Sequence, residues 1–130
     1  MADARRQQSI EVENIGHQAP IPVASRVGNV LCTSAISGRD QKTGKLAPDA
    51  DGQARLAFEN LKTILAKGGM GLGDVVKITC WVTDDALRDQ INKYWRECFP
   101  DEHKRPARHT LVQQLRGGVL LQIDALAVAG

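Results

Sequence analysis

The chain has 130 residues, 42% of them hydrophobic and 25% charged, with twelve glycines and a formal charge of +2. That allows one domain, residues 1–130, around one core, and it excludes a disordered, collagen-like or membrane-spanning chain, since no apolar run approaches the ~20 residues a bilayer requires. The basic residues are scattered, and the densest pairs, Arg5-Arg6 and Lys104-Arg105, are too thin for a nucleic-acid stripe and read as solvated surface charge.

In chain order the pattern predicts three strands, a helix, a strand, a helix and two strands. Gln8 to Val12 alternates weakly. Pro22 to Val27 leads through Gly28-Asn29 into Val30 to Ile36, two strands joined as a hairpin. Turn residues follow at Thr43-Gly44 and Pro48-Asp49. The first helix spans Asp51 to Lys67: Ala54, Ala57, Phe58, Leu61, Ile64 and Leu65 form one stripe, Gln53, Arg55, Glu59 and Lys62 fall on the wet side, and Gly68-Gly69 ends it. Asp74 to Asp84 reads as a strand, with Val76, Ile78, Cys80 and Val82 on one face and Val75, Lys77, Thr79 and Trp81 on the other. Asp84 or Asp85 caps a second helix carrying Leu87, Ile91, Trp95, Cys98 and Phe99, which Pro100 stops. Arg108 to Gln114 and Val119 to Val128 are the last strands.

Two helices of this length cover one face of such a sheet. Yet the last strand places Val119, Leu121, Ile123 and Ala125 on one side and Leu120, Leu126 and Val128 on the other. Burying an apolar side chain of this size is worth ~1.5–3 kcal/mol, so another subunit is the simplest cover for the second face.

Cys32, Cys80 and Cys98 are odd in number and lack any CxxC or zinc-ligand spacing. They read as buried free thiols in a reducing compartment. The opening Met-Ala-Asp-Ala-Arg-Arg has no apolar segment behind its charges, so the expected location is the cytoplasm. Gly69-Met70-Gly71 lacks the preceding strand of a dinucleotide fingerprint, and no cofactor or metal is expected.

Several segments together resemble one family. Gly73 to Asp84 is similar to the Gly-Asp-[Val/Ile]-Val-Lys-x-Thr-x-aromatic-Val-x-Asp strand of YjgF/RidA proteins. Gln53-Ala54-Arg55 with Asn60-Leu61-Lys62 resembles their first helix, Gly28-Asn29 with Thr33-Ser34 their hairpin, and Pro106-Ala107-Arg108 with Ile123 to Ala127 their C-terminal signature. The resemblance implies an α+β, chorismate-mutase-like fold: a six-stranded mixed sheet with two helices on one face, three subunits packing their sheets into a central barrel with clefts between neighbours. It also implies hydrolysis of reactive enamines and imines such as 2-aminoacrylate and 2-iminopropionate, released by pyridoxal-phosphate enzymes, to 2-keto acids and ammonia.

The site residues follow from the same resemblance. Arg108 matches the carboxylate-binding arginine, whose planar fork suits an organic acid; a lone arginine at a strand end otherwise sits in solvent. Alternation puts Arg108, Thr110 and Val112 on a common face and His109 on the opposite one, where packing suits it better than catalysis. Ser34 matches a cleft serine, although a strand hydroxyl serves equally to bond backbone. Asn92 matches a helix asparagine beside the cleft, or is a solvated helix residue. Three positions depart from the pattern. Gln122 stands where active members have a glutamate that holds the attacking water, and an amide takes no proton near neutral pH. Thr110 replaces a cysteine, although its carbonyl is still able to hold a water. Ile21 replaces an aromatic on the cleft rim. The partner implied is a small carboxylate. A binding module that holds keto acids or amino-acid-like ligands without turnover is the alternative to the enzyme. An endoribonuclease role draws no support from five aromatics at +2 charge, since RNA binding calls for a basic groove with stacking rings.

Overall fold

The computed structural model describes residues 6–130, so Met1 to Arg5, with the first arginine of the basic pair, lie outside the described residues. The strands are β1 (Gln7–Ile10), β2 (Ala24–Val27), β3 (Val30–Thr33), β4 (Ile36–Ser37), β5 (Val75–Val82), β6 (Ala107–Val112) and β7 (Leu121–Val128). The helices are α1 (Ala50–Lys67) and α2 (Arg88–Cys98), the latter preceded by a short 3₁₀ turn. All the strands join one mixed sheet in the order β1-β2-β3-β7-β5-β6; β4 also pairs with β7, and only β6 runs parallel to its neighbour, β5.

The predicted third strand, Val30 to Ile36, is one strand interrupted. Cys32 pairs with Leu126, whereas Ile36 pairs with Ile123, so one extra residue is inserted on the β3–β4 side. The insertion turns both Leu31 and Ile36 into the core, although an unbroken strand would face them oppositely. Where the ladder breaks, the Thr33 hydroxyl takes over and accepts the Ala125 N–H at 2.9 Å. Replacing Thr33 with valine keeps the shape and removes the acceptor. We expect a loss of about 1–3 kcal/mol in a denaturant titration, the usual cost of an orphaned N–H, with Thr33→Ser retaining most of the stability.

A second insertion corrects the reading of β5. Val75 pairs with Ala127 and Lys77 with Leu126, leaving Val76 unpaired. Val75 therefore joins Ile78, Cys80 and Val82 in the core, while Val76 is 48% exposed. The predicted faces are interchanged at those two valines and hold elsewhere along the strand.

Helix α1 starts at Asp49, whose side chain accepts the Gly52 N–H. It ends in a paired closure, Met70 N–H to Leu65 C=O and Gly69 N–H to Ala66 C=O, which requires the left-handed conformation that Gly69 adopts (φ 77°). The predicted apolar stripe is buried throughout. Gln53, read as a wet residue, is buried too. Its amide donates to the Ala47 and Gly118 carbonyls and accepts the Leu120 N–H, tying the first turn of α1 to the loop before β7. Asn60 is likewise buried, donating to the Ser37 and Arg39 carbonyls and accepting from Gln41. Helix α2 lies beside α1, and Tyr94 and Lys93 bond Asp51 at 2.8 and 3.0 Å. Those two bonds, Lys93 foremost, hold the Asp51 carboxyl below the usual carboxylate range.

Both helices cover one face of the sheet. On the other, Val27, Val30 and Val128 stand abreast across β2, β3 and β7, each more than a third exposed. Cys32, expected in the core, is exposed on this same face. Within one protomer that face has no cover. No helix among the described residues is long and apolar enough to cross a membrane.

Candidate functional site

Strand β6 forms one edge of the sheet, and its register with β5 sets Arg108 beside Ile78 and Thr110 beside Cys80. Both therefore lie on the helix side, at the margin where α2 passes. Arg108 is half-buried, and its guanidinium is fixed from three directions. One terminal nitrogen donates to Asn92 Oδ1 at 2.7 Å, Nε donates to the Thr110 hydroxyl at 3.1 Å, and the plane sits 5.0 Å from the Trp95 ring centroid. Burial lowers its pKa from the ordinary arginine value, and the charges of Arg88 and Arg96 push the same way. Among the described residues it has no carboxylate partner. The cavity in front of it, about 240 Å³, is lined by Asn92, Trp95, Arg96, Arg105 and Arg108. A fixed, uncompensated guanidinium at the wall of a small cavity is suited to gripping an anion.

The other candidate residues are elsewhere. Gln122 pairs with Trp81, on the sheet face opposite Arg108. It lines a separate open cavity of about 380 Å³ together with His17, Ser37, Arg39 and Arg116. Ser34 donates its hydroxyl to the Pro22 carbonyl at 2.8 Å, and Ile21 is 47% exposed in the loop before β2. His109 is exposed and shares the far face with Thr79. Asp124, two residues beyond Gln122, accepts the Trp81 indole N–H at 2.9 Å. The Thr110 carbonyl, suggested above as a water holder, accepts from Arg88 at 3.3 Å, and Arg88 is itself paired with Asp85. One protomer thus brings Arg108, Thr110 and Asn92 together and leaves Gln122, Ser34 and Ile21 apart from them.

The family model described as Endoribonuclease L-PSP matches residues 13–129. The 2-iminobutanoate/2-iminopropanoate deaminase of Salmonella typhimurium is 37% identical over 105 residues, 78% of this chain and 81% of that one. The chain belongs to the YjgF/RidA family. Among solved structures, the YjgF gene product of E. coli superposes with a TM-score of 0.84 at 30% identity, covering 93% of this chain and 98% of that one. E. coli TdcF with bound serine gives 0.84 at 31% identity, covering 95% and 99%. Such likeness makes the sheet a chorismate-mutase-like sheet of the RidA type, with β3 and β4 together counting as its interrupted sixth strand.

In this RidA-family chain one nucleophile stands close to Arg108, and it is held inactive. Burial pushes the Cys80 thiol up to about 11, against the opposing pull of Arg108 and of the Thr110 hydroxyl. The protonated thiol is a poor attacking group at neutral pH. An unburied thiol ionises near ~8.5, so as pH rises the unfolded chain loses this proton before the folded one does. The contribution is fully present below ~8.5 and fades as pH passes through about 11. We expect wild-type stability to fall across that window by up to about 3 kcal/mol more than in Cys80→Ala, measured by denaturant titration at each pH.

Two parts of the Arg108 site were not anticipated from sequence. Trp95 was read as a core residue of α2; its other role, as the surface under the guanidinium, depends on how α2 passes β6. Arg96 and Arg105 are nine positions apart in sequence, and only the pair Lys104-Arg105 stands out there, as surface charge. Pro100 and the turn after it fold them back to one cavity, and Arg105 Nε is fixed on the Phe99 carbonyl at 2.8 Å.

Proposed function

We propose that the protein hydrolyses small 2-imino acids, and their enamine tautomers, to 2-keto acids and ammonia, in clefts where two subunits of a homotrimer meet. The observation that carries this reading is Arg108: half-buried, pinned by Asn92, Thr110 and Trp95, and without an acidic partner among the described residues. The substrate carboxylate binds that guanidinium and is oriented by it, leaving the C=N carbon open to water. Addition of water gives a carbinolamine, whose C–N bond breaks to release ammonia as the C=O forms. Positioning is the main demand, since imines hydrolyse unaided. The deaminase name borne by the S. typhimurium relative supports this chemistry, and the serine bound to E. coli TdcF, an α-carboxylate ligand, supports the choice of anion.

The inter-subunit location is supported by the separation of the candidate residues. Arg108 and Gln122 lie on opposite faces of one sheet, so a cleft holding both requires a second copy. The uncovered row Val27, Val30 and Val128 supplies an apolar surface for that contact. Gln122 of one subunit then holds the attacking water against a substrate fixed by Arg108 of its neighbour. It orients that water without taking its proton, and general-base assistance is typically worth ~10²–10⁴-fold, so turnover is slow for this chemistry. A cytoplasmic setting suits three free thiols, one of them exposed.

Gln122 favours one second reading, a trimer that binds keto acids without turnover. The test is to generate 2-iminopropionate in situ, follow its capture by semicarbazide, and ask whether the protein diverts it to pyruvate in an Arg108-dependent way. Keto-acid binding with no diversion selects the second reading. Sedimentation as a monomer removes the shared cleft from both.

A further inference from the structure

Arg108 is not the only free cation at its cavity. Arg96, from α2, and Arg105, from the loop before β6, line the same wall, and among the described residues neither forms an ion pair. Arg105 uses only Nε on the Phe99 carbonyl, which leaves its two terminal nitrogens for a ligand. The fourth nearby arginine, Arg88, is already paired with Asp85. Three guanidinium groups thus meet at a cavity of about 240 Å³ with no carboxylate among its lining residues. They are graded in depth: Arg108 is half-buried, whereas Arg96 and Arg105 are exposed. A ligand bearing one carboxylate compensates the inner charge and leaves the outer two uncompensated. One bearing two acids compensates both levels.

We infer that the cavity selects ligands with a second anionic group, so that the 2-imino acid it takes derives from an acidic or a phosphorylated amino acid. The α-carboxylate binds Arg108, and the side-chain acid reaches outward to Arg96 and Arg105. The ligand class rests on the reading of Arg108 given above. The second anion, carboxylate or phosphate, rests on the two outer arginines.

Calorimetric titration with keto acids tests the selection apart from turnover. Pyruvate carries one acid, 2-oxoglutarate a second carboxylate, and 3-phosphohydroxypyruvate a phosphate. We expect at least one of the two diacids to bind about tenfold or more tighter than pyruvate, the worth of one charge-assisted hydrogen bond, and the better of the two names the outer acid. Arg96→Gln and Arg105→Gln each shrink that ratio, and the double variant brings it close to one. Arg55→Gln, on the solvent side of α1 and paired with Glu59, leaves it intact. Pyruvate binding as tightly as both diacids overturns the inference, as does binding of none of the three. A ratio that survives in the double variant overturns it too, including the case where only sedimentation changes because the arginines serve the contact between protomers. The two claims fail separately: imine hydrolysis with no preference for diacids leaves the deaminase standing, and a preference with no hydrolysis leaves the anion selection standing.

Discussion

Arg108→Ala is expected to lower kcat/KM for 2-iminopropionate by about a hundredfold or more, because a buried charge pair with the substrate carboxylate is worth roughly 2–5 kcal/mol when one partner is truncated. The loss falls on the acid-binding group alone. The Arg108 side chain makes no hydrogen bond to backbone; it donates to the Asn92 side chain on α2 and to the Thr110 hydroxyl on its own strand. The variant should therefore fold and unfold at close to the wild-type denaturant midpoint. Arg108→Lys keeps the charge but cannot bond Asn92, Thr110 and a carboxylate fork at once, and it recovers only part of the activity. The semicarbazide competition provides the measurement. Near wild-type diversion to pyruvate by Arg108→Ala would remove the guanidinium from the mechanism.

The largest expected stability effect lies far from that strand, at Gly38. The residue follows β4, and its backbone packs directly on the first turns of α1. A β-carbon there would overlap the Gln53 Cα, carbonyl carbon and carbonyl oxygen, all of them backbone. No side-chain rotation relieves that contact, so either the helix or β4 has to move. Its neighbours make movement costly: Asn60 holds the carbonyls on both sides of Gly38, and Gln53 holds the loop before β7. Gly38→Ala is expected to cost roughly 3 kcal/mol or more, the upper range for overpacking, and to lower Tm by about 10 °C. Gly73→Ala is the control, since a β-carbon at Gly73 meets nothing within 4 Å. Equal Tm values for the two variants would show that α1 is not seated on β4 as described.

How much of this was legible in the sequence depended on whether a feature is local. The stripe from Ala54 to Leu65 and the closure at Gly68-Gly69 are set within a few residues, and helix α1 follows them almost to the residue. The two inserted residues, one between β3 and β4 and one at Val76, left no sequence signal, because alternation continues through them in letters while the register shifts by one and the side chains exchange faces. Gln53 escapes a reading by polarity for a related reason: it borders the stripe, four residues before Ala57, and the loop at Gly118 comes down over it. The arginine motif brought Arg108 forward. Its Asn92 contact joins residues sixteen apart on different elements, which the neighbours of neither residue in sequence reveal. The separation of Gln122 from Arg108 follows from pairing register, which sets Gln122 opposite Trp81 and Arg108 beside Ile78 and depends on contacts distant in sequence.

The edge location of β6 has a consequence for how the guanidinium keeps its place. A strand laddered on one side only is the least tethered part of a sheet, so positional accuracy must come from struts outside the ladder. Here two of those struts, Asn92 and Trp95, stand on a single helix, whose own mooring to α1 includes Tyr94 and Lys93 on Asp51. Small tilts of α2 would thus be passed to the cation tip nearly undiminished, coupling the grip on an acid to the trim of the one helix that lines the mouth.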